Sequence, residues 1–389
     1  MMSSCRAACV GLFLLCSAVA SPAARAKVVI SLDFSLELAG GLFDPRAPGG
    51  AQAQAAMQRA AQAFSDRIVD DLTAISPGGL NVWTPRIINP ATGLPMTPNL
   101  PGVQAGVIKV YVASRTLEGA TESAEAVAGS ATALGSAAFV GNANSRGQAG
   151  ALASPRTDHG PWGGSVAFDD GTPWHFGLTT VGLTTGEVDF LSVATHELAH
   201  LLGFSIDQPS YGRLVTSGGK FIGAKATAAN GGANPSAVGS HWVGMSSRAG
   251  VGGPAQVALM DAAIPLGTRR RMTLLDWAAL DDVGWGVALP GDANADGAVD
   301  FSDFQILERG FGRPDARWAT GDFTEDGQVT AADLRQLLLH YGRRIDGAAA
   351  PVPADEAAAL AAFAASVPEP AGVGVVAALL CVVMRRPRR

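Results

Sequence analysis

The residues best suited to chemistry in this chain are His196 and His200, with Glu197 between them in His196-Glu197-Leu198-Ala199-His200. Positions i and i+4 of a helix share a face, so both imidazoles can ligate one zinc ion. Glu197 can then serve as general base toward a water activated there. Asp189 can cap the start of such a helix and Gly203 can end it. A hydrolytic zinc site takes three protein ligands and keeps one position for water. No glutamate lies between Glu197 and Glu308, and Glu308 belongs to a different segment. Asp207 is close to the helix. His241, in Gly239-Ser240-His241-Trp242, is the one histidine after His200 within the same segment. His241 is therefore the preferred third ligand, the alternative being a hydrogen-bonded loop histidine. His159 and His175, near Trp162 and Trp174, are either substrate contacts or histidines satisfied locally.

A second constellation is built from oxygen. Asp292, Asn294, Asp296, Asp300 and Asp303 stand at positions 1, 3, 5, 9 and 12 of a loop with Gly297 at position 6. Thirty residues on, Asp322, Thr324, Asp326, Thr330 and Asp333 repeat the pattern around Gly327. A hard cation of high coordination number needs such oxygens and such a turn, so two calcium sites are expected. Thr324 stands where Asp or Asn is usual, which points to a weaker second site. Each loop runs into an apolar helix, with Phe304, Ile306 and Leu307 in the first and Leu334, Leu337 and Leu338 in the second.

Other elements must position these groups. Strands are expected at 28–34, 82–88, 107–113 and 165–168, a helix over 51–72, and a closing helix over 272–285. Their order implies an α+β fold, a mixed twisted sheet with the His196 helix packed on it, followed by a small α-helical calcium-binding domain. The expected organisation is 1–26, 27–287, 288–345, a linker over 346–366, and 367–389.

The 389 residues carry a net charge of -6, with 16% charged and 48% hydrophobic side chains, which excludes a disordered chain and argues against a nucleic-acid partner. Residues 291–345 hold ten acidic against six basic side chains. Cys5, Cys9, Cys16 and Cys381 lie near the ends, so a disulfide scaffold and a thiol catalyst are both excluded from the folded part. Arg6, the apolar stretch 7–15 and the small-residue sites ending at Ala20 and Ala26 read as a secretory signal peptide. At the other end, Val367-Pro368-Glu369-Pro370 precedes an apolar run from Ala371 to Met384 and five residues rich in arginine. This end reads as a membrane-associated sorting or anchor segment.

Three resemblances follow from these residues. The wording of residues 196–205, the distant His241 and the segment Ala258-Leu259-Met260-Asp261 resemble leishmanolysin-like metzincins. That resemblance implies a zinc endopeptidase acting on protein or peptide, with Met260 in a turn beneath the metal. Met260 as ordinary core is the alternative. The cysteines of the eukaryotic relatives are absent. The paired oxygen loops are similar to a type I dockerin, which implies Ca2+ and a cohesin-like partner. The C-terminal segment resembles a PEP-CTERM sorting signal. It implies processing by an exosortase-type enzyme and delivery to the envelope surface or extracellular matrix of a Gram-negative bacterium. A binding or matrix protein on a catalytically silent zincin domain is the reading of another class, and an intact Glu197 argues against it.

Overall fold

The computed structural model describes residues 27–118, 123–314, 316–345, 347 and 351–367. The readings of 1–26 as a signal peptide and of 368–389 as a sorting and membrane segment lie outside the described residues. Among the described residues, no helix is long and apolar enough to cross a membrane. The fold is mixed α+β, with several sheets and helices and a small helical domain after residue 288.

The main sheet has the order β1-β4-β7-β5, formed by β1 (Val29–Asp33), β4 (Val107–Arg115), β7 (Gly163–Asp169) and β5 (Ala124–Ala128). β1, β4 and β7 are parallel, with Val29 opposite Val107 and Lys109 opposite Gly163. β5 runs antiparallel on the edge, with Ala124 opposite Phe168. Side chains alternate across β4. Ile108, Val110 and Val112 join the large core, whereas Val107 and Tyr111 join Trp83, Ile87, Phe139 and Trp162 in a second cluster. That second cluster involves the smaller sheet β3-β2-β6, from β2 (Val82–Ile88), β3 (Pro95–Met96) and β6 (Ser130–Leu134), together with α2 (Ala137–Ser145).

Helices cover the other face. α1 (Gly50–Ser65) buries Ala53, Ala56, Met57, Ala60 and Phe64, a row of helical spacing. The expected helix extends further, to Leu72. The chain instead leaves the helix at Asp66 because the β-branched residues Ile68 and Val69 take bridge partners, Val287 and Lys27. Against α1 lies α3 (Phe190–Leu201), which carries His196 and His200 and also packs beside β5.

Downstream come the short helices α4 (Pro209–Gly212) and α5 (Ala224–Ala229), and then α6 (Leu274–Asp282). Small strand pairs link them. β8 (Trp174–His175) pairs with β9 (Val188–Asp189), β10 (Ala237–Val238) with β11 (His241–Trp242), and β12 (Ser246–Arg248) with β13 (Ala255–Val257). α6 is shorter than the expected 272–285 because Thr273 starts it with a reciprocal cap to Asp276.

The C-terminal domain has α7 (Phe301–Gly310) and α8 (Ala331–His340), each entered from an oxygen-rich loop. Its two halves cross over. Val299 of the first loop bonds Arg343 and Gly342 beyond α8, while Gly312 beyond α7 donates to Val329 of the second loop. The stretch read as a linker carries a helix, α9 (Ala354–Ser366). α9 buries Leu360 in the domain's core and sets Phe363 edge-on against Phe304 and Phe311 at 5.4 Å.

Candidate metal centre

α3 is fixed at both ends. The Asp189 side chain accepts from the Ser192 amide at 3.0 Å, and the Arg269 guanidinium clamps the same carboxylate at 2.6 Å. Ser192 is tied to the Arg270 backbone, with the amide donating at 2.8 Å. At the far end Gly203 adopts φ +105, a conformation that disfavours a side chain, while Phe204 donates back to the Ala199 carbonyl at 3.0 Å. The chain then turns sharply, and the Phe204 carbonyl comes back to face His200.

That return matters for proton placement. The Phe204 carbonyl lies 2.7 Å from His200 Nδ1, and the Leu259 carbonyl lies 2.9 Å from His196 Nδ1. A carbonyl can only accept, so both Nδ1 atoms carry the hydrogen and both Nε2 atoms present lone pairs. The Nε2 atoms converge. His196 to His200 is 3.0 Å, and His241 Nε2 is 3.2 Å from each. Bonds of about 2.05 Å from a tetrahedral zinc would set its ligand nitrogens about 3.3 Å apart. Burial pushes the His196 imidazole well below its usual pKa, with the neighbouring histidines adding to it, and takes His200 down to about 4. The rings are thus neutral and ready to ligate over most of the pH range. Among the described residues these three histidines form a cluster whose ligand atoms are close enough together to hold a metal ion. Asp207, the other nearby candidate, is exposed and outside it.

His241 is delivered by β11. Its neighbour Trp242 donates its backbone N–H to the Met260 carbonyl at 2.8 Å and its indole N–H to Asp276 Oδ1 at 2.8 Å. Asp276 also accepts from the amides of Leu259 and Met260, and from the amide and hydroxyl of Thr273. One buried carboxylate therefore binds the Met260 turn, the His241 strand and the start of α6. Burial pushes the Asp276 carboxyl up, and its donors hold it back. No sequence signal marked it within the expected closing helix over 272–285. Met260 is fully buried, and the preceding residue of its turn, Leu259, presents its carbonyl to His196. Glu197, next to His196, is 8% exposed.

His159 and His175 do not join the cluster. His159 lies edge-on to Trp285 and faces the Leu201 carbonyl at 3.4 Å, and His175 Nε2 faces the Thr179 carbonyl at 3.0 Å. Both are satisfied locally.

In the first oxygen loop, Asp292 accepts from the amides of Asp296 and Gly297, and Asp303 from those of Ala293 and Asp300. The second loop repeats this, with Asp322 accepting from Asp326 and Gly327, and Asp333 from Thr324 and Thr330. Asn294 and Asp296 meet at 2.9 Å within the first turn. Asp300 and Thr330, expected as ligands at position 9, cap α7 and α8, because that position is where each loop enters its helix. Burial is the main force pushing Asp292 and Asp322 up to about 7 and Asp303 to about 8. Buried carboxylates of this kind are stabilised as anions by a dication. The Thr324 hydroxyl oxygen, at position 3, is buried beside the Asp333 carboxylate, a placement that also fits a cation ligand.

Residues 290–339 match the dockerin type I domain. The match implies Ca2+ binding, and dockerin domains bind cohesin partners. Neither a curated protein nor a solved structure matches the chain.

Proposed function

We propose that residues 27–287 form an exported zinc-dependent endopeptidase of metzincin type, with His196, His200 and His241 as ligands. The observation that carries this reading is the convergence of three Nε2 lone pairs within 3.2 Å, two of them fixed by carbonyls on the opposite ring nitrogen. Three neutral acceptors facing one another repel unless a cation lies between them. Bound zinc would supply Lewis acidity and lower the pKa of a coordinated water toward about 7. Glu197 takes the proton from the attacking water and returns it to the leaving amine as the C–N bond breaks. Outer groups hold the ligands in place. Leu259 and Phe204 fix two tautomers, and Asp276 orients the strand of His241.

A peptide can reach this site along β5. That strand forms the sheet edge beside α3 and, among the described residues, has a strand partner only on its β7 side. Its outer main-chain groups suit an extended peptide. The metzincin resemblance, Met260 as its turn, the envelope or matrix address, exosortase-type processing of the tail and a cohesin-like partner all belong to this proposal.

Zinc content and casein cleavage, compared between the wild type, Glu197→Ala and His241→Ala, test it. Glu197→Ala is expected to keep its zinc and lose activity by about a thousandfold or more. His241→Ala is expected to lose zinc. A Glu197→Ala protein that cleaves as fast as wild type overturns the mechanism, and full zinc affinity in His241→Ala overturns the ligand set.

A further inference from the structure

The dockerin domain is packed onto the first domain through its second calcium loop. Arg67, just after α1, is 4% exposed and lies between two indoles, 4.2 Å from the ring centre of Trp277 and 3.9 Å from that of Trp318 in the dockerin domain. Its guanidinium pairs with Glu325, the residue between loop ligands Thr324 and Asp326, at 2.5 Å. Glu325 has φ +51, so the loop holds a left-handed turn at the point of contact. Its carbonyl accepts from Arg271. Across the same seam, Arg317 pairs with Asp66 at 3.2 Å and Arg59 bonds the Ala316 carbonyl. Backbones also meet. A Cβ on Gly250 would lie 2.4 Å from the Phe323 carbonyl oxygen, and one on Gly253 would lie 2.2 Å from that of Thr324.

We propose that the second calcium loop is an internal docking surface whose partner is the chain's own first domain, so that calcium bound there and this interface stabilise each other. The groups that touch the first domain are the loop's own backbone and Glu325, and their conformation is the one a calcium ion in that loop would hold. Among the described residues loop 1 meets the seam only one step removed, its Asp292 carbonyl accepting from the Trp318 indole at 2.7 Å within the dockerin domain. It is tied to the end of α8 through Val299 and Ala298, and α9 covers the neighbouring helix α7. The asymmetry between two otherwise similar loops decides which one is coupled. On the first-domain side, Arg271 continues the strap in which Arg269 clamps Asp189, Arg270 holds Ser192 and Asp276 anchors the Met260 turn. Order set by calcium in loop 2 therefore extends toward the histidine cluster. None of this depends on whether that cluster cleaves peptides.

Coupling is reciprocal, so breaking the interface must weaken calcium in the second loop. Calcium titration by calorimetry on the full chain, with wild type, Gly250→Val and Arg67→Met, reads this directly. One of two calcium steps is expected to weaken by about tenfold in each variant while the other stays unchanged. Asp322→Ser and Asp292→Ser identify the steps, and the weakened one must be the step lost in Asp322→Ser. Unchanged constants in Gly250→Val, or equal loss at both loops, overturn the proposal. Hydrogen exchange of residues 249–254 and 269–273 gives a second reading that needs no interface variant. Faster exchange there in Asp322→Ser but not in Asp292→Ser supports the coupling, and unchanged exchange in Asp322→Ser overturns it.

Discussion

At the residue scale, pairing His196 with His200 needs only the helical period, whereas what makes them a site is tertiary. The Leu259 carbonyl lies 2.9 Å from His196 Nδ1 although 63 residues separate the two in the chain. Asp276 lies unmarked in sequence within the expected closing helix, and only the fold shows its carboxylate shared among the Met260 turn, Trp242 and Thr273. Asp276→Asn leaves one acceptor oxygen where two serve now, so the His241 strand loosens. Zinc affinity is expected to fall by about tenfold, measured by competition with a chelator. His159 gives a pH prediction. Burial holds its imidazole near 4 against an ordinary 6.5, so the unfolded chain takes up the proton first as pH falls. Its contribution to stability is full above about pH 6.5 and drains as pH drops toward 4. The stability difference between wild type and His159→Gln is therefore expected to shift by about 2 kcal/mol against wild type from pH 7 to pH 5, read by denaturant unfolding.

At the element scale, α3 is the most legible part of the chain because its signals are local. Asp189 caps it, Gly203 ends it, and Phe190, Val193, Ala194, Leu198 and Leu201 give it a buried face. α1 was harder to bound, since the apolar spacing of Phe64 and Ile68 continues past the point where tertiary bridges to Lys27 and Val287 straighten the chain. In the small sheet β2 stands where the sequence places a strand and β3 returns on it over a short loop, but β6 pairs with β2 from far along the chain, Val82 opposite Leu134, and no local pattern announces that pairing. Gly203→Ala tests the end of α3. Its φ of +105 disfavours any side chain, and the added Cβ would lie 2.9 Å from His159. Destabilisation of about 2 kcal/mol is expected, with weaker zinc binding because the return of Phe204 to His200 is disturbed.

At the scale of the whole molecule, two hydrophobic cores meet along one seam. Val69 belongs to the cluster of the C-terminal domain although it lies within the first, and Ala288, at the start of the second, donates to the Arg67 carbonyl at 2.7 Å. The acidic excess of residues 291–345 sits on the dockerin side of this seam. Ten carboxylates against six cations over 291–345 repel one another unless calcium offsets them. Among the described residues Arg67 is the one cation that crosses the seam into that charge while stacked on indoles from both sides. Removing it leaves the partly buried Glu325 without its main counter-charge, a loss of about 2 kcal/mol that falls on the contact between the cores and only slightly on either core alone. Scanning calorimetry in calcium follows from that placement. The wild type is expected to unfold in one cooperative transition, and Arg67→Met in two, with the dockerin domain melting first. A single transition shifted as a whole would mean that the two cores are joined by something other than this seam.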